Sequence, residues 1–192
     1  DASITSDACY NAGAGWFPIN LTGSYNGNDH IISGLYLDRP GIYLGLFGYV
    51  SGASITNLGL VDLNVSGGSN YIGGLIGYGI GGTTITECFS TGTVIGSSSY
   101  VGGLIGRGIE VYITDCYSTA DVSAVTNYAG GLAGYIGGEF EFPSVVTRCY
   151  STGFVTGPNT VRFGGLAGFI IGSDVINCFW DTETSGRATS TG

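Results

Sequence analysis

Short apolar stretches recur along this chain, each broken by glycine and followed by Ser, Thr and Asn. Gly73-Gly74-Leu75-Ile76-Gly77 returns as Gly102-Gly103-Leu104-Ile105-Gly106, Gly130-Gly131-Leu132-Ala133-Gly134 and Gly164-Gly165-Leu166-Ala167-Gly168, with a shorter copy at Gly45-Leu46-Phe47-Gly48. The central leucines, Leu46, Leu75, Leu104, Leu132 and Leu166, are separated by 29, 29, 28 and 34 residues. No run has the 3.6-residue apolar spacing of an amphipathic helix, so the apolar positions predict short strands joined at glycine corners. A period near 29 predicts one supersecondary unit laid down five times.

A second pattern fixes the rest of the unit. Ile85-Thr86-Glu87-Cys88-Phe89-Ser90 matches Ile113-Thr114-Asp115-Cys116-Tyr117-Ser118, Val146-Thr147-Arg148-Cys149-Tyr150-Ser151 and Val175-Ile176-Asn177-Cys178-Phe179, and Leu58 stands in the cysteine slot of the first copy. Leu and Cys share a slot when it is buried and modest in volume. The aliphatic residue three places earlier also points inward, which breaks the alternation of a strand. A bend is therefore expected at Asn57, Glu87, Asp115, Arg148 and Asn177. Alternation beyond the cysteine sends Phe89, Tyr117, Tyr150 and Phe179 outward. Val94, Val122 and Val155 mark a third short strand, and the next unit opens near Tyr71, Tyr100 or Tyr128, with Arg162 in that slot of the last copy.

Such a unit cannot bury its apolar face alone, so the units must stack. The predicted fold is all-β: a right-handed parallel β-helix, or β-solenoid, of about five ~29-residue rungs rising ~4.8 Å each. Residues 1–192 read as a single domain, with 1–40 as a non-repeating N-terminal cap and opening rung, 41–180 as the repeats and 181–192 as a polar tail or linker. Extra residues at 138–145 and 157–162 read as surface loops.

Composition narrows the function. Gly numbers 37 among 192 residues and sits at fixed repeat positions, as stacked turns require. Charged residues make up only 10%, and net charge is −9. The cations Arg39, Arg107, Arg148, Arg162 and Arg187 are scattered, which argues against a nucleic-acid groove. No apolar run approaches the ~20 residues that span a bilayer. The chain opens on Asp1 and reads as a mature or excised form.

The Gly-Gly-Leu-x-Gly core, followed by the Cys-Tyr/Phe-Ser-Thr-Gly segment, resembles the GLUG repeat. Gly23 to Leu35 resembles the segment that often precedes such repeats, and Cys178 to Gly186 the one that often closes them. The resemblance covers about residues 17–186. It implies a β-helical module of secreted or surface proteins of bacteria and archaea, including large adhesins, and it brings no catalytic residue. The chain departs from the pattern at Leu58, Ala120 and Arg107.

Candidate chemistry is sparse. Cys88, Cys116, Cys149 and Cys178 are spaced far too widely for a metal knuckle and read as a structural thiol ladder; Cys9 stands outside it. His30, the single histidine, reads as a structural residue of the first rung. Glu87 and Asp115, one rung apart, are the weak candidates for an acid–base pair or a calcium site, with Arg148 set to neutralise Asp115. Phe89, Tyr117, Tyr150 and Phe179 are the candidate binding ladder, and the competing reading is that they stack on one another. Asn20 and Asn64 head N-glycosylation triplets. No cofactor and no catalytic residue are expected. The sequence reading is a non-enzymatic extracellular structural or adhesive module, with a polysaccharide-binding or polysaccharide-cleaving β-helix as the alternative. Its expected partners are itself, end to end or edge to edge, or a surface glycan or protein.

Overall fold

The computed structural model describes residues 11–68, 70–138, 141–157 and 162–190. Every strand pairing among them is parallel, and together they form a β-solenoid of about five turns. One six-stranded sheet runs Ile19–Leu21, Phe47–Ser51, Ile76–Ile80, Ile105–Ile109, Ala133–Gly137 and Ala167–Ile171. A four-stranded sheet stacks Ile72–Gly73, Val101–Gly102, Ala129–Gly130 and Phe163–Gly164. A twelve-stranded sheet carries the cysteine segments and wraps the remaining sides.

Equivalent residues lie in register. Ile55, Ile85, Ile113, Val146 and Val175 form one column, and Leu37, Val65, Val94, Val122 and Val155 another. With the repeat leucines they fill a narrow core: Leu75, Leu104, Ile85 and Ile113 are fully buried. Gly103 shows why the corner must be glycine: a Cβ there would meet Ser118 Oγ and the Gly131 carbonyl of the next turns. Ser90 and Ser151 occupy the buried slot beside these corners and donate to the Gly103 and Gly165 carbonyls at 2.9 and 2.7 Å, so their polar atoms cost little.

The bend falls where the alternation breaks. Asn57, Glu87, Asp115, Arg148 and Asn177 all have φ between 51° and 54°, in the left-handed region. The N-terminal segment supplies a real opening rung: Ser24–Ser33 and Tyr36–Arg39 pair in parallel with Ser54–Gly67. Trp16 closes over it and donates its indole N–H to the Leu46 carbonyl at 2.9 Å. The loop expected at 138–145 ends earlier, because Ser144–Thr147 is a strand whose buried Ser144 hydroxyl donates to the Gly137 carbonyl.

The polar tail departs from the sequence reading. Asp181 caps a helical turn, Thr182–Ser185, which ends at Gly186 with φ 64°. The chain then folds back: Arg187 Nε donates to the Val155 carbonyl, and Ser190 Oγ accepts from the Leu166 and Ala167 amides. Polar composition concealed this segment because its contribution is hydrogen bonds to the open backbone of the last turn rather than apolar burial. Among the described residues, no helix is long and apolar enough to cross a membrane.

Candidate functional site

Stacking converts each position of the repeat into a column, and four columns carry the molecule's chemistry. The first is the thiol column. Cys88, Cys116 and Cys149 are buried and Cys178, on the last turn, is half-buried; all four are free thiols. They do more than fill volume. Each thiol donates to the carbonyl two residues back, at 3.2–3.3 Å, across the bend. Cys116 and Cys178 also accept the Cys88 and Cys149 amides at 3.4 and 3.3 Å. A small residue that both donates and accepts suits this slot, which explains the recurrent cysteine. Burial pushes the Cys116 thiol well up. The neighbouring Cys116 and Cys178 side chains hold Cys149 down. Cys9 lies outside the described residues.

The second column is the exposed bend. Arg148 grips Asp115 with two hydrogen bonds of 2.6 Å, which lower the Asp115 carboxyl and raise the guanidinium. Glu87 sits one rung away and is exposed. Asp115 is therefore occupied as the acceptor of an ion pair, which limits its use in proton transfer. Among the described residues, no group of three or more His, Cys, Asp or Glu is placed to hold a metal ion.

The third column is Phe89, Tyr117, Tyr150 and Phe179. Their rings are nearly parallel, with centroids 4.8, 4.8 and 5.3 Å apart. Phe89 lies over Gly59, the smallest residue of the preceding turn. Each interior ring has both faces covered by its neighbours. Only Phe179, 59% exposed, keeps an open face.

The fourth column is a paired one, and the sequence reading saw only part of it. Tyr43, Tyr71, Tyr100 and Tyr128 stack at 5.3, 5.1 and 5.0 Å. Beside them run Tyr49, Tyr78, Arg107, Tyr135 and Phe169, whose rings meet the first set in edge, stacked and tilted contacts of 5.2–5.8 Å. Arg107, which looked like a lost aromatic, fills a ring slot: its guanidinium lies 5.1–5.7 Å from the centroids of Tyr71, Tyr78, Tyr100 and Tyr135. Arg162 lies 3.7 Å over Phe169 and 5.8 Å from Tyr128. Burial raises Tyr78 and Tyr100 above the ordinary tyrosine value. The signal was in the sequence: residues 49, 78, 107, 135 and 169 all fall three places after a repeat leucine.

The remaining candidates are dispersed. His30 lies on the opening rung opposite Leu58 and is exposed. Asn20 and Asn64 are exposed on different sheets, and Asn20 Oδ1 accepts the Tyr49 amide at 3.2 Å.

Comparison with known proteins agrees with this architecture. Residues 68–95 match the GLUG motif. An 80-residue stretch, 40% of the chain, is 45% identical to halomucin of Haloquadratum walsbyi (strain DSM 16790 / HBSQ001) and covers 1% of that protein's length. No solved structure matches. The matched residues 68–95 run from the glycine-rich corner at Gly68 to the Val94 strand, about one turn of the solenoid, and the same letters recur in the turns on either side. The chain thus carries the GLUG motif as a repeating turn of a parallel β-solenoid.

Proposed function

We propose that this chain is a non-enzymatic module of an extracellular or cell-surface protein, acting structurally or adhesively by holding side-chain columns toward a glycan or a protein. The GLUG motif and the similarity to halomucin support a surface-associated repeat protein. The observation that carries the proposal is the in-register stacking itself. It repeats each outward position at one rung spacing, while Asp115 is engaged with Arg148 and the thiols turn inward on backbone carbonyls, which leaves Glu87 without a second free carboxylate beside it. A glycan and surface-protein array probed with the isolated chain tests this. Retention without turnover is the expected result. Release of sugar from a polysaccharide, abolished by Glu87→Gln or Asp115→Asn, would overturn it in favour of a polysaccharide-cleaving enzyme.

A second reading, self-assembly, is favoured by the last described turn. Val175, which belongs to a core column, is 41% exposed, with Ile176 at 46% and Phe179 at 59%. A strand of a second copy laid in parallel against Ser173–Ile176 would cover Val175 and Ile176, and one continuing along Phe179–Trp180 would cover Phe179. Sedimentation over a wide concentration range tests it: a species that stays monomeric rejects assembly.

A further inference from the structure

We propose that the paired tyrosine column, with Arg107 and Arg162, is a binding face for an acidic polysaccharide. The proposal rests on the surface-module reading only in requiring this face to be accessible.

The backbone supplies the first reason. Tyr43, Tyr71, Tyr100 and Tyr128 have φ of 60–65°, a conformation that strains a bulky L-residue and that glycine adopts freely. A chain with 37 glycines nevertheless places tyrosine there on four successive turns. The ring is kept against the preference of the backbone beneath it. Ring stacking offsets the strain but does not require a hydroxyl, since phenylalanine would stack as well.

The hydroxyls and guanidinium groups supply the second. None of the seven tyrosine hydroxyls makes a hydrogen bond among the described residues. Arg148 is paired with Asp115, Arg39 donates to the Gly15 carbonyl and Arg187 to the Val155 carbonyl. Arg107 and Arg162 form no ion pair and no hydrogen bond among the described residues, and Arg107 Nε is buried without a partner. On a chain of net charge −9, two uncompensated cations set among phenols form a local anion-attracting strip.

Geometry then selects the ligand. The ring faces of the Tyr43 column are covered by their neighbours, so flat stacking of a sugar is unavailable and recognition must run through ring edges, hydroxyls and charge. The rings repeat at 5.0–5.3 Å, close to the length of one pyranose in an extended polysaccharide. An extended peptide presents like side chains only every ~6.6 Å and falls out of step. Arg107 and Arg162 sit two turns apart, ~10 Å along the axis at ~4.8 Å per rung. That spacing suits a polymer with one carboxylate on every second sugar.

The test is affinity electrophoresis and calorimetry with hyaluronan, which has that charge pattern, against its carboxyl-esterified form and against poly-glutamate. Binding of hyaluronan that falls steeply with salt, at least tenfold weaker binding of the esterified polymer and of poly-glutamate, and a tenfold loss in Arg162→Gln are expected. Arg162 is exposed, so its substitution leaves the fold intact, and the combined Tyr71→Phe and Tyr100→Phe variant, which keeps the stacked rings, should weaken binding severalfold. No binding of hyaluronan, equal binding of the ester or of poly-glutamate, or unchanged binding in both variants overturns the proposal. Capture of neutral glycans or proteins on the array, with no acidic polymer among them, also overturns it and leaves the surface-module reading standing. An array that captures nothing removes both.

Discussion

Leu104→Ala at the centre of the stack measures directly how strongly the turns depend on one another. Leu104 is fully buried, and the turns above and below hold Leu75 at 0% and Leu132 at 1% exposure. Removing the branch beyond Cβ forfeits about 2–2.5 kcal/mol of transfer free energy at ~0.8 kcal/mol per methylene. The cavity adds to this, because the walls cannot close: the Leu75 amide is tied to the Leu104 carbonyl at 3.0 Å and the Leu104 amide to the Leu132 carbonyl at 2.9 Å. The expected total is about 3–5 kcal/mol. Leu166→Ala makes the comparison. Leu166 has one repeat neighbour, Leu132, and on its other side the tail, whose Ser190 hydroxyl accepts the Leu166 amide at 3.1 Å. A tail held by hydrogen bonds can settle into the void, so the cost there should be smaller by about 1 kcal/mol or more. Urea unfolding followed by circular dichroism is the assay, with the slope m checked for each variant because repeat arrays can lose two-state behaviour. A loss below ~1.5 kcal/mol for Leu104→Ala, or equal losses at both sites, would refute the argument that buried leucines are locked between rigid turns.

Three further outcomes follow from the columns. Glu87→Asn should stabilise the chain by about 0.5–1 kcal/mol, because Asn tolerates the φ of 53° better than Glu does; a thermal melt with no upward shift counts against backbone strain at the bend. The raised Tyr78 and Tyr100 values make stability full below about pH 10 and lost as pH climbs through them, since the unfolded chain releases those protons first; phenolate absorbance showing both groups titrating like free tyrosine would contradict this. In a Cys9→Ser background, Cys178 should react with a thiol reagent well ahead of Cys88, Cys116 and Cys149: its thiol is raised and that of Cys149 lowered, but the three core thiols are at most 1% exposed and closed to the reagent; mass mapping that finds a core thiol labelled first would place the column wrongly.

The sequence by itself determined the stack. A fixed period of leucine and cysteine, with Leu58 standing in for Cys, leaves one economical way to bury those residues, and the break in alternation at Asn57, Glu87, Asp115, Arg148 and Asn177 located the bend that the backbone dihedrals show. These are local and periodic signals, and a parallel in-register fold turns period directly into contact. Only the tertiary structure decided what lies between columns. The pairing of the tyrosine strip with Tyr49, Tyr78, Arg107, Tyr135 and Phe169 joins residues six or seven apart in each turn, across a corner whose angle no letter encodes. The covering of ring faces in the Phe89 ladder depends on rotamers, which only packing against Gly59 and the neighbouring rings selects. The folded tail was hidden for a related reason: its hydrogen-bond partners are backbone groups of the last turn, and backbone leaves no trace in the order of side chains.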